Sequence, residues 1–364
     1  MTVPLFDPAT PLEPLQPALR AAIDDVLEAG QWILGPQVAA FETEWARYTG
    51  TTDAIGVANG TEAITIALRA LGVGPGDDVV VPSFTYFASA EAIPPTGARP
   101  VFCDVDPATS CVTVESVRAA MTPRTKAVVA VHLFGNLAPV REIEEQLGVP
   151  VVEDVAQASG SIAADGTRPG NLGAIGTFSF YPSKNLGGFG DGGAITTSDA
   201  ALAERVRTLR FHGSADKVTY TEVGYNSRLD ELQAAILRVQ LPELDGWAEH
   251  RRTAGRWYTE AGLGEHVALP EPAPGSRPAW GLYVVRTPEP DALGEALGKK
   301  GIGARGYYRV PIHQQPVFAA EYGETPLPGT EEAARTHLAI PMSAALDRSQ
   351  VDEVVVAVGE ALAR

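Results

Sequence analysis

The sequence predicts an α/β protein with two parts: a large domain with a mostly parallel sheet covered by helices, and a smaller C-terminal α+β domain. Short, valine-rich apolar segments such as DVVVPS, KAVVAVHLF and VPVVEDVA alternate along the chain with segments of helical periodicity. Strands that are buried on both faces are nearly continuous apolar runs, and their alternation with helices is typical of parallel sheets. A length of 364 residues suits one large domain and one smaller domain.

The individual elements follow from the order of these segments. LQPALRAAIDDVLEAG has helical periodicity and ends at Gly30, and TEAITIALRALG predicts a helix that begins near Thr61 and stops at Gly72. SRLDELQAAILRVQLPELDGWAEHRR predicts a long helix that is interrupted near Pro242, because proline breaks the helical hydrogen-bond ladder. The predicted strands are DVVVPS, RPVFCDVD, KAVVAVHLF, VPVVEDVA, GTFSFY and GAITTS.

The domain boundary is expected near Gly246. The large domain then spans residues 14–245, and residues 1–13 form an N-terminal arm that is expected to be extended. The proline-rich segment LPEPAPGSRPAW predicts a linker or surface loop. The segments GLYVVRT, DALGEALGKKG and SQVDEVVVAVGEALA that follow it indicate a small α+β domain over residues 246–364.

Composition excludes several classes of protein. The formal net charge is -17, and such an acidic chain repels phosphate backbones, so no nucleic-acid partner is expected. Cys103 and Cys111 lack metal-site spacing and the histidines form no ligand cluster, so we expect no disulfide framework and no metal. The N-terminus has no signal-peptide pattern, and no apolar run reaches membrane-spanning length. The default expectation is therefore a cytoplasmic protein without a membrane partner.

The segment FSFYPSKNLGGFGDGG places a lysine, Lys184, just after a predicted buried strand. Lysine normally keeps its ammonium group in water, so an exposed loop lysine is the ordinary explanation for Lys184 taken alone.

The run Gly188–Gly193 also fits GxGxxG, but it precedes a strand. A dinucleotide-binding motif follows the first strand and opens a helix, so we interpret the run as a loop with little side-chain bulk.

Other polar groups fall at the carboxyl ends of predicted strands, where open parallel sheets bind ligands. Gly60 and Thr61 lie where a strand turns into a helix, whose N-terminus attracts phosphate. Ser179 offers a hydroxyl to the same group. A carboxylate at Asp154 keeps a pyridine nitrogen protonated, and a buried Lys184 forms a Schiff base with a carbonyl. Together these groups predict a site for pyridoxal 5'-phosphate.

Each group also has a structural explanation. NGT is a common helix start, Asp154 suits a helix cap, and Tyr86 suits core packing. Gln157 shares the strand end with Asp154, and the ring of Tyr86 offers a face to a flat cofactor. The occurrence of all these groups in order, each at a strand end, favours the cofactor site over separate structural roles.

Long motifs of the chain resemble the DegT/DnrJ/StrS group of fold-type I, pyridoxal-phosphate-dependent aminotransferases. The resemblance covers nearly the whole chain. It implies reversible transfer of an amine from L-glutamate to the keto group of a nucleotide-linked (dTDP or UDP) deoxysugar. The matching segments are GQWILGPQVAAFE, ANGTEAITIALRALG, VVVPSFTYFAS, VVEDVAQASG, FSFYPSKNLGGFGDGGAI, LRFHGS, GYNSRLDELQAAILRVQL and VPIHQQP.

The resemblance also implies residue roles. Lys184 carries the Schiff base and moves the proton. Asn226 reaches the phosphate of the neighbouring subunit, which implies a homodimer with shared active sites. The other implied roles are Asp154 at the pyridine nitrogen, Gln157 at the ring hydroxyl, Tyr86 stacked on the ring, Gly60, Thr61 and Ser179 at the phosphate, and Trp32, Tyr308 and His313 in the sugar pocket.

The chain departs from the family pattern at three positions. Many members carry histidine in place of Gly281 and Tyr307, and proline in place of Arg309. These departures concern the sugar contacts.

Two alternatives to the transaminase stay open: a sugar dehydratase, which Lys184 disfavours because that branch carries histidine there, and a regulator that binds cofactor without turnover. The nucleotide, the keto carbon and the stereochemistry of the amine are not determined.

Overall fold

A seven-stranded sheet forms the centre of the computed structural model, which describes residues 3–363. Its strand order is β1-β7-β6-β5-β4-β2-β3; β7 is antiparallel to β1 and β6, and the other neighbours are parallel. The predicted mostly parallel sheet is therefore confirmed. The strands are β1 (Asp53–Val57), β2 (Asp78–Pro82), β3 (Arg99–Cys103), β4 (Thr125–Val131), β5 (Val151–Asp154), β6 (Ile175–Ser179) and β7 (Gly193–Thr197).

Helices cover the sheet and form much of the C-terminal part of the chain. The first eight are α1 (Gln16–Ala29), α2 (Pro36–Thr49), α3 (Gly60–Ala70), α4 (Ala88–Glu91), α5 (Val114–Ala120), α6 (Val140–Leu147), α7 (Ala200–Arg210) and α8 (Glu231–Gln240). They are followed by α9 (Leu244–Glu260), α10 (Pro290–Lys299), α11 (Pro316–Tyr322), α12 (Pro328–Thr336) and α13 (Arg348–Leu362). A two-stranded antiparallel sheet joins β8 (Tyr283–Arg286) to β9 (His337–Ile340). Among residues 3–363, no helix has the length and apolar character that a membrane crossing requires.

Local sequence signals explain where several helices end. Gly30 closes α1 in a left-handed conformation, with φ of 63°, which glycine adopts at no steric cost. Pro242 lies in a single 3-10 turn between α8 and α9, so the predicted interruption of the long helix is present. The central strands bury their valines on both faces of the sheet, and each buried side chain contributes about 1.5–3 kcal/mol to folding.

Helix α9 connects the two apolar cores. Leu244, in its first turn, packs in a cluster with residues of β6, whereas Tyr258, near its end, belongs to the core around β8 and β9. The expected boundary at Gly246 therefore lies inside a continuous helix.

The arm residue Val3 accepts a hydrogen bond of 2.8 Å from the Gly303 amide, which ties the arm to the C-terminal part. A 3-10 helix at Thr10–Leu15 includes the last residues of the arm and the first residues after it.

A buried carboxylate from α8 accepts the first backbone amides of α2. Glu231, the first residue of α8, is 1% exposed. Its Oε1 accepts the amides of Gly35 and Val38 at 2.8 Å, and its Oε2 accepts the amide of Gln37 at 2.9 Å. The first amides of a helix have no intrahelical partner, so this carboxylate satisfies them from a distant element. Helices α2 and α8 are thereby locked together.

We expect Glu231→Gln to lower the free energy of unfolding by about 1–3 kcal/mol, because one acceptor oxygen is replaced by an amide donor that faces buried N–H groups. Glu145→Gln, at an exposed position of α6, is the matched control and should stay within about 0.5 kcal/mol of the unchanged protein. Urea unfolding followed by circular dichroism measures both variants. Equal unfolding midpoints for the two variants would contradict this role of Glu231.

Candidate active site

A cleft of about 1270 Å³ opens at the carboxyl ends of the parallel strands. We call it the main cleft. Loops that follow β1, β2, β5 and β6 meet there because these four strands point the same way in the sheet. Most of the predicted site residues line this cleft: Gly60, Thr61, Tyr86, Asp154, Gln157, Ser179, Lys184 and Tyr308.

The N-terminus of α3 forms one wall of the main cleft. The side chain of Asn59 caps the helix by accepting the Glu62 amide at 2.9 Å. The N–H groups of Gly60 and Thr61 precede the helical hydrogen-bond ladder and suit an anion. A Cβ atom at Gly60 would lie 2.8 Å from the Cβ of Ser179, so glycine is required for the close approach of α3 to β6.

Asp154 ends β5 and is 6% exposed. Its Oδ2 accepts the hydroxyl of Ser89 at 2.8 Å, and its Oδ1 accepts the amide of Ala156 at 3.1 Å. Ser89 in turn lies 3.2 Å from the hydroxyl of Thr85. These contacts orient a carboxylate that forms no salt bridge with a basic side chain of residues 3–363, so it suits a cationic group of a ligand.

A second carboxylate, that of Glu153, lies next to Asp154 in the chain and hydrogen-bonds to two other segments. Its Oε2 accepts the Gly170 amide at 2.8 Å and lies 2.9 Å from Nε2 of His132. The Nδ1 atom of His132 accepts the amide of Ala138 at 3.0 Å, so Nε2 carries the hydrogen that His132 donates to Glu153. The amides of Leu172 and Gly173 both donate to Oε1 at 2.8 Å.

Lys184 lies in the turn that follows β6, and its amide donates to the carbonyl of Tyr181 at 2.9 Å. Burial lowers the pKa of Lys184 from its ordinary value, and the negative charge of Asp154 opposes part of this shift. More of the amine is therefore neutral near neutral pH than in an exposed lysine. A neutral amine is the form that attacks carbonyl groups and accepts protons.

Gln157 is held by two partners at the edge of the main cleft. Its Oε1 accepts the amide of Phe134 at 2.8 Å, and its Nε2 donates to the hydroxyl of Tyr308 at 3.2 Å. Phe134 and Tyr308 both have positive φ, at 59° and 56°, and their rings stack 6.1 Å apart. Tyr86 is 61% exposed, and its ring lies 6.4 Å from that of Tyr308.

Three predicted residues lie away from the main cleft of their own chain. His313 is buried, and Ser83 holds it through a 2.6 Å contact between Oγ and Nδ1. Trp32 is 47% exposed, and Asn226 is also exposed beside its bridge partner Phe211. Trp32 and Asn226 are therefore accessible to a second chain, whereas the ring of His313 is enclosed.

Comparison with known proteins identifies the family. The sequence of residues 15–359 matches the model of a single family. The chain belongs to the DegT/DnrJ/EryC1/StrS aminotransferase family. The resemblance predicted from the motifs is thus confirmed, and the protein is an aminotransferase.

Individual relatives of this aminotransferase match over its full length. It is 44% identical to dTDP-3-amino-3,4,6-trideoxy-alpha-D-glucose transaminase of Streptomyces venezuelae, over 98% of this chain and 96% of that protein. It is 43% identical to the Pleiotropic regulatory protein of Geobacillus stearothermophilus, over 99% and 98% of the two chains. Its structure matches S. venezuelae DesV in complex with a ketimine intermediate, with a TM-score of 0.95, 43% identity and coverage of 100% and 99%. The shared architecture is that of fold-type I aminotransferases.

The three departures from the family pattern have structural consequences in this aminotransferase. A Cβ atom at Gly281 would lie 2.4 Å from the carbonyl oxygen of Gln157, so a histidine there would require the backbone to shift. Arg309 is held by its own chain, donating to the carbonyl of His337 at 2.7 Å and to Asp291 at 2.9 Å. Tyr307 lines the main cleft, and burial raises its pKa.

Sequence reasoning missed the residues that position the site. Asn59 caps α3, Thr85 and Ser89 support Asp154, and the amide of Phe134 orients Gln157. Of these, only Asn59 has a local signal, because asparagine just before a helix is a preferred cap. The described residues contain no group of acidic, histidine and cysteine side chains that would hold a metal ion.

We expect Lys184 of the cofactor-free aminotransferase to titrate below the ordinary lysine pKa of about 10.4. Asp154→Asn should lower this pKa further, because it removes the negative charge that favours the ammonium form. Reductive ¹³C-methylation and NMR titration measure it, with the Lys184 signal assigned from Lys184→Arg.

The matched control is Asp191→Asn, which removes an exposed carboxylate of the same cleft. It should leave the Lys184 titration close to that of the unchanged protein. A Lys184 pKa at or above the ordinary value would contradict the effect of burial, and an upward shift in Asp154→Asn would contradict the effect of the Asp154 charge.

Proposed function

We propose that this aminotransferase moves an amino group from L-glutamate to the keto group of a deoxysugar linked to dTDP or UDP. The observation that carries the proposal is the joint position of Lys184, Asp154 and the N-terminus of α3 in one cleft. The likeness to a named dTDP-sugar transaminase supports the choice of substrate class. A cleft of about 1270 Å³ also has room for a nucleotide-linked sugar.

The residues of the main cleft fit pyridoxal 5'-phosphate. The phosphate matches the amides of Gly60 and Thr61 and the hydroxyl of Ser179. The pyridine nitrogen matches Asp154, whose carboxylate is already oriented by Ser89. Gln157 and Tyr86 lie on the same cleft, where they suit the edge and the face of a flat ring.

Bound pyridoxal phosphate supplies an electron sink that stabilises negative charge on the reacting carbon. Asp154 keeps the ring nitrogen protonated because its buried carboxylate favours a cationic partner. Lys184 Nζ takes the proton from the α-carbon of the amino acid, and on the return half it delivers a proton to the sugar carbon that receives the amine. Its lowered pKa suits both roles, because the neutral form that accepts a proton is reached more easily than in an exposed lysine.

One alternative is favoured by a specific observation. A relative with 43% identity is named Pleiotropic regulatory protein, so a regulator that binds cofactor without turnover is the second candidate. The presence of both Lys184 and Asp154 in the main cleft favours catalysis, because binding alone requires neither a base nor a counter-charge for the ring.

The function is tested with protein reconstituted with pyridoxal phosphate. We expect L-glutamate to convert the yellow protein to its colourless form with release of 2-oxoglutarate, and a panel of dTDP- and UDP-keto sugars to restore the colour for the matching sugar. Borohydride should fix the cofactor on Lys184, and Lys184→Ala should lose both the adduct and turnover. A protein that binds cofactor but converts neither glutamate nor any sugar of the panel would support the regulator instead.

We further propose that two chains form a homodimer and share their active sites. Asn226 does not line the cleft of its own chain and is exposed beside a loop with exposed apolar side chains. Val218, Tyr220 and Val223 of that loop are 81%, 60% and 83% exposed, and a group of exposed apolar side chains suits a surface that another chain covers. In the proposed dimer Asn226 contacts the phosphate bound in the neighbouring chain, and Trp32 lies near the neighbouring sugar site.

Subunit complementation tests the shared site. Lys184→Ala and Asn226→Ala are each expected to have little activity, and a mixed dimer should collect both changes in one site and neither in the other. Activity should rise on mixing toward about a quarter of the wild-type value, because about half the dimers are mixed and each has one intact site. If subunit exchange is demonstrated and mixing restores nothing, Asn226 acts within its own chain.

A further inference from the structure

A second cavity, of about 480 Å³, lies beside the main cleft and shares Lys184 with it. We call it the rear cavity. Phe6 of the N-terminal arm, Ser183 and Asn185 also line both spaces. Further residues of the arm, among them Asp7 and Pro8, line the rear cavity together with Arg251 of α9. Lys184 therefore lies where a large space and a small space meet.

Arg251 forms no ion pair with an acidic side chain of residues 3–363. Its only side-chain hydrogen bond within residues 3–363 is a 3.3 Å bond from Nη1 to the carbonyl of Trp280. Its Nε is buried and donates to no group of the described chain. A guanidinium has five N–H donors, so most of the donors of Arg251 remain for a ligand.

The neighbouring arginines of α9 differ from Arg251 in this respect. Arg252 donates to Glu249 at 2.8 Å and to the carbonyl of Gly160 at 3.2 Å. Arg256 also pairs with Glu249, at 3.4 Å. The described part of the chain thus supplies a carboxylate to Arg252 and to Arg256 but none to Arg251.

The acidic side chains that line the rear cavity do not compensate for Arg251. Asp7 uses Oδ1 to accept the amides of Ala9 and Thr10, at 3.1 Å and 3.0 Å, and Glu13 is exposed. Burial lowers the pKa of Arg251 to about 10, so the guanidinium keeps its charge at neutral pH. A cation that is partly withdrawn from water is costly unless an anion accompanies it, so the position of Arg251 suits an anionic ligand.

We propose that Arg251 binds a carboxylate of the amino-acid donor and of the keto acid formed from it. This inference rests on the proposed function. In the proposed function the amine would pass through the cofactor held at Lys184, and two substrates of different size would use that position in turn: an amino acid and a nucleotide sugar. The rear cavity suits the smaller one, and a guanidinium pairs with a carboxylate through two parallel hydrogen bonds. Arg251 then selects the donor, whereas the main cleft selects the sugar.

The test measures binding to the reconstituted enzyme by titration calorimetry. Glutarate is the probe, since it carries the two carboxylates of the donor and has no amine to react. dTDP and UDP are the reference ligands for the main cleft. Arg251→Gln removes the cation, and Arg256→Gln is the matched control on the same helix, where the arginine is 58% exposed.

We expect Arg251→Gln to weaken glutarate binding at least about tenfold, because a charge-assisted hydrogen-bonded pair is lost. Arg256→Gln should change it by no more than about twofold, as is usual for an exposed ion pair. Binding of dTDP and UDP should stay the same in both variants. Equal glutarate binding in Arg251→Gln, or no glutarate binding by the unchanged enzyme, would overturn the proposal. A variant that loses dTDP or UDP but keeps glutarate would also overturn it and assign the guanidinium to the diphosphate.

Two further measurements decide the matter if Arg251→Gln does not fold. Arg251→Lys keeps the charge without the planar fork and should bind glutarate with intermediate affinity. In the unchanged enzyme, glutarate should protect Arg251 from phenylglyoxal, as read by peptide mass spectrometry, and glutaramide should not. Absence of this protection would contradict the assignment.

The colour change with L-glutamate separates this inference from the proposed function. If glutamate converts the unchanged enzyme and Arg251→Gln equally, and their glutarate affinities are also equal, the inference fails while the amine-donor half of the function stands. If no sugar of the panel is converted but glutarate binding depends on Arg251, the sugar transamination fails while the carboxylate site stands.

Discussion

The buried carboxylate of Glu153 is the constraint on which the site depends. It receives hydrogen bonds from the ring of His132 and from three backbone amides of the loop around Gly170. These bonds join the ends of β4 and β5 to a loop that precedes β6. Asp154 is the next residue, so its carboxylate is positioned by a backbone that cannot move without leaving buried polar groups unpaired.

The pKa values of Lys184 and Arg251 depend on burial as well as on nearby acidic groups. Lys184 has Asp154 as its nearby acid, and burial still lowers its pKa. Arg251 has no acid within ion-pair distance in residues 3–363, and its pKa is also lowered. Lys184 lines both the main cleft and the rear cavity, Arg251 lines the rear cavity, and Phe6 of the N-terminal arm lies where the two spaces meet. In an acidic chain with a net charge of -17, a guanidinium that forms no ion pair within residues 3–363 suits an anionic ligand.

The arm and α9 give the C-terminal part a direct role in this arrangement. Val3 is hydrogen-bonded to Gly303, and Phe6 then reaches both the main cleft and the rear cavity. Helix α9 packs its first turn on the large sheet and its last turns on the small core, and Arg251 lies between these two contacts. The geometry at Lys184 therefore depends on both parts of the chain.

The sequence by itself determined the alternating elements, the mostly parallel sheet and the convergence of Gly60, Asp154, Ser179 and Lys184. It did so because hydrophobic periodicity identifies strands, and parallel strands bring their carboxyl ends to one edge. Tertiary structure alone decided which polar groups pair. His313 is held by Ser83 from 230 positions away in the chain, and Gln157 by Tyr308 from 151 positions away, whereas Arg251 pairs with no acid of the described residues. Such partners depend on how distant elements pack, and no local pattern encodes them.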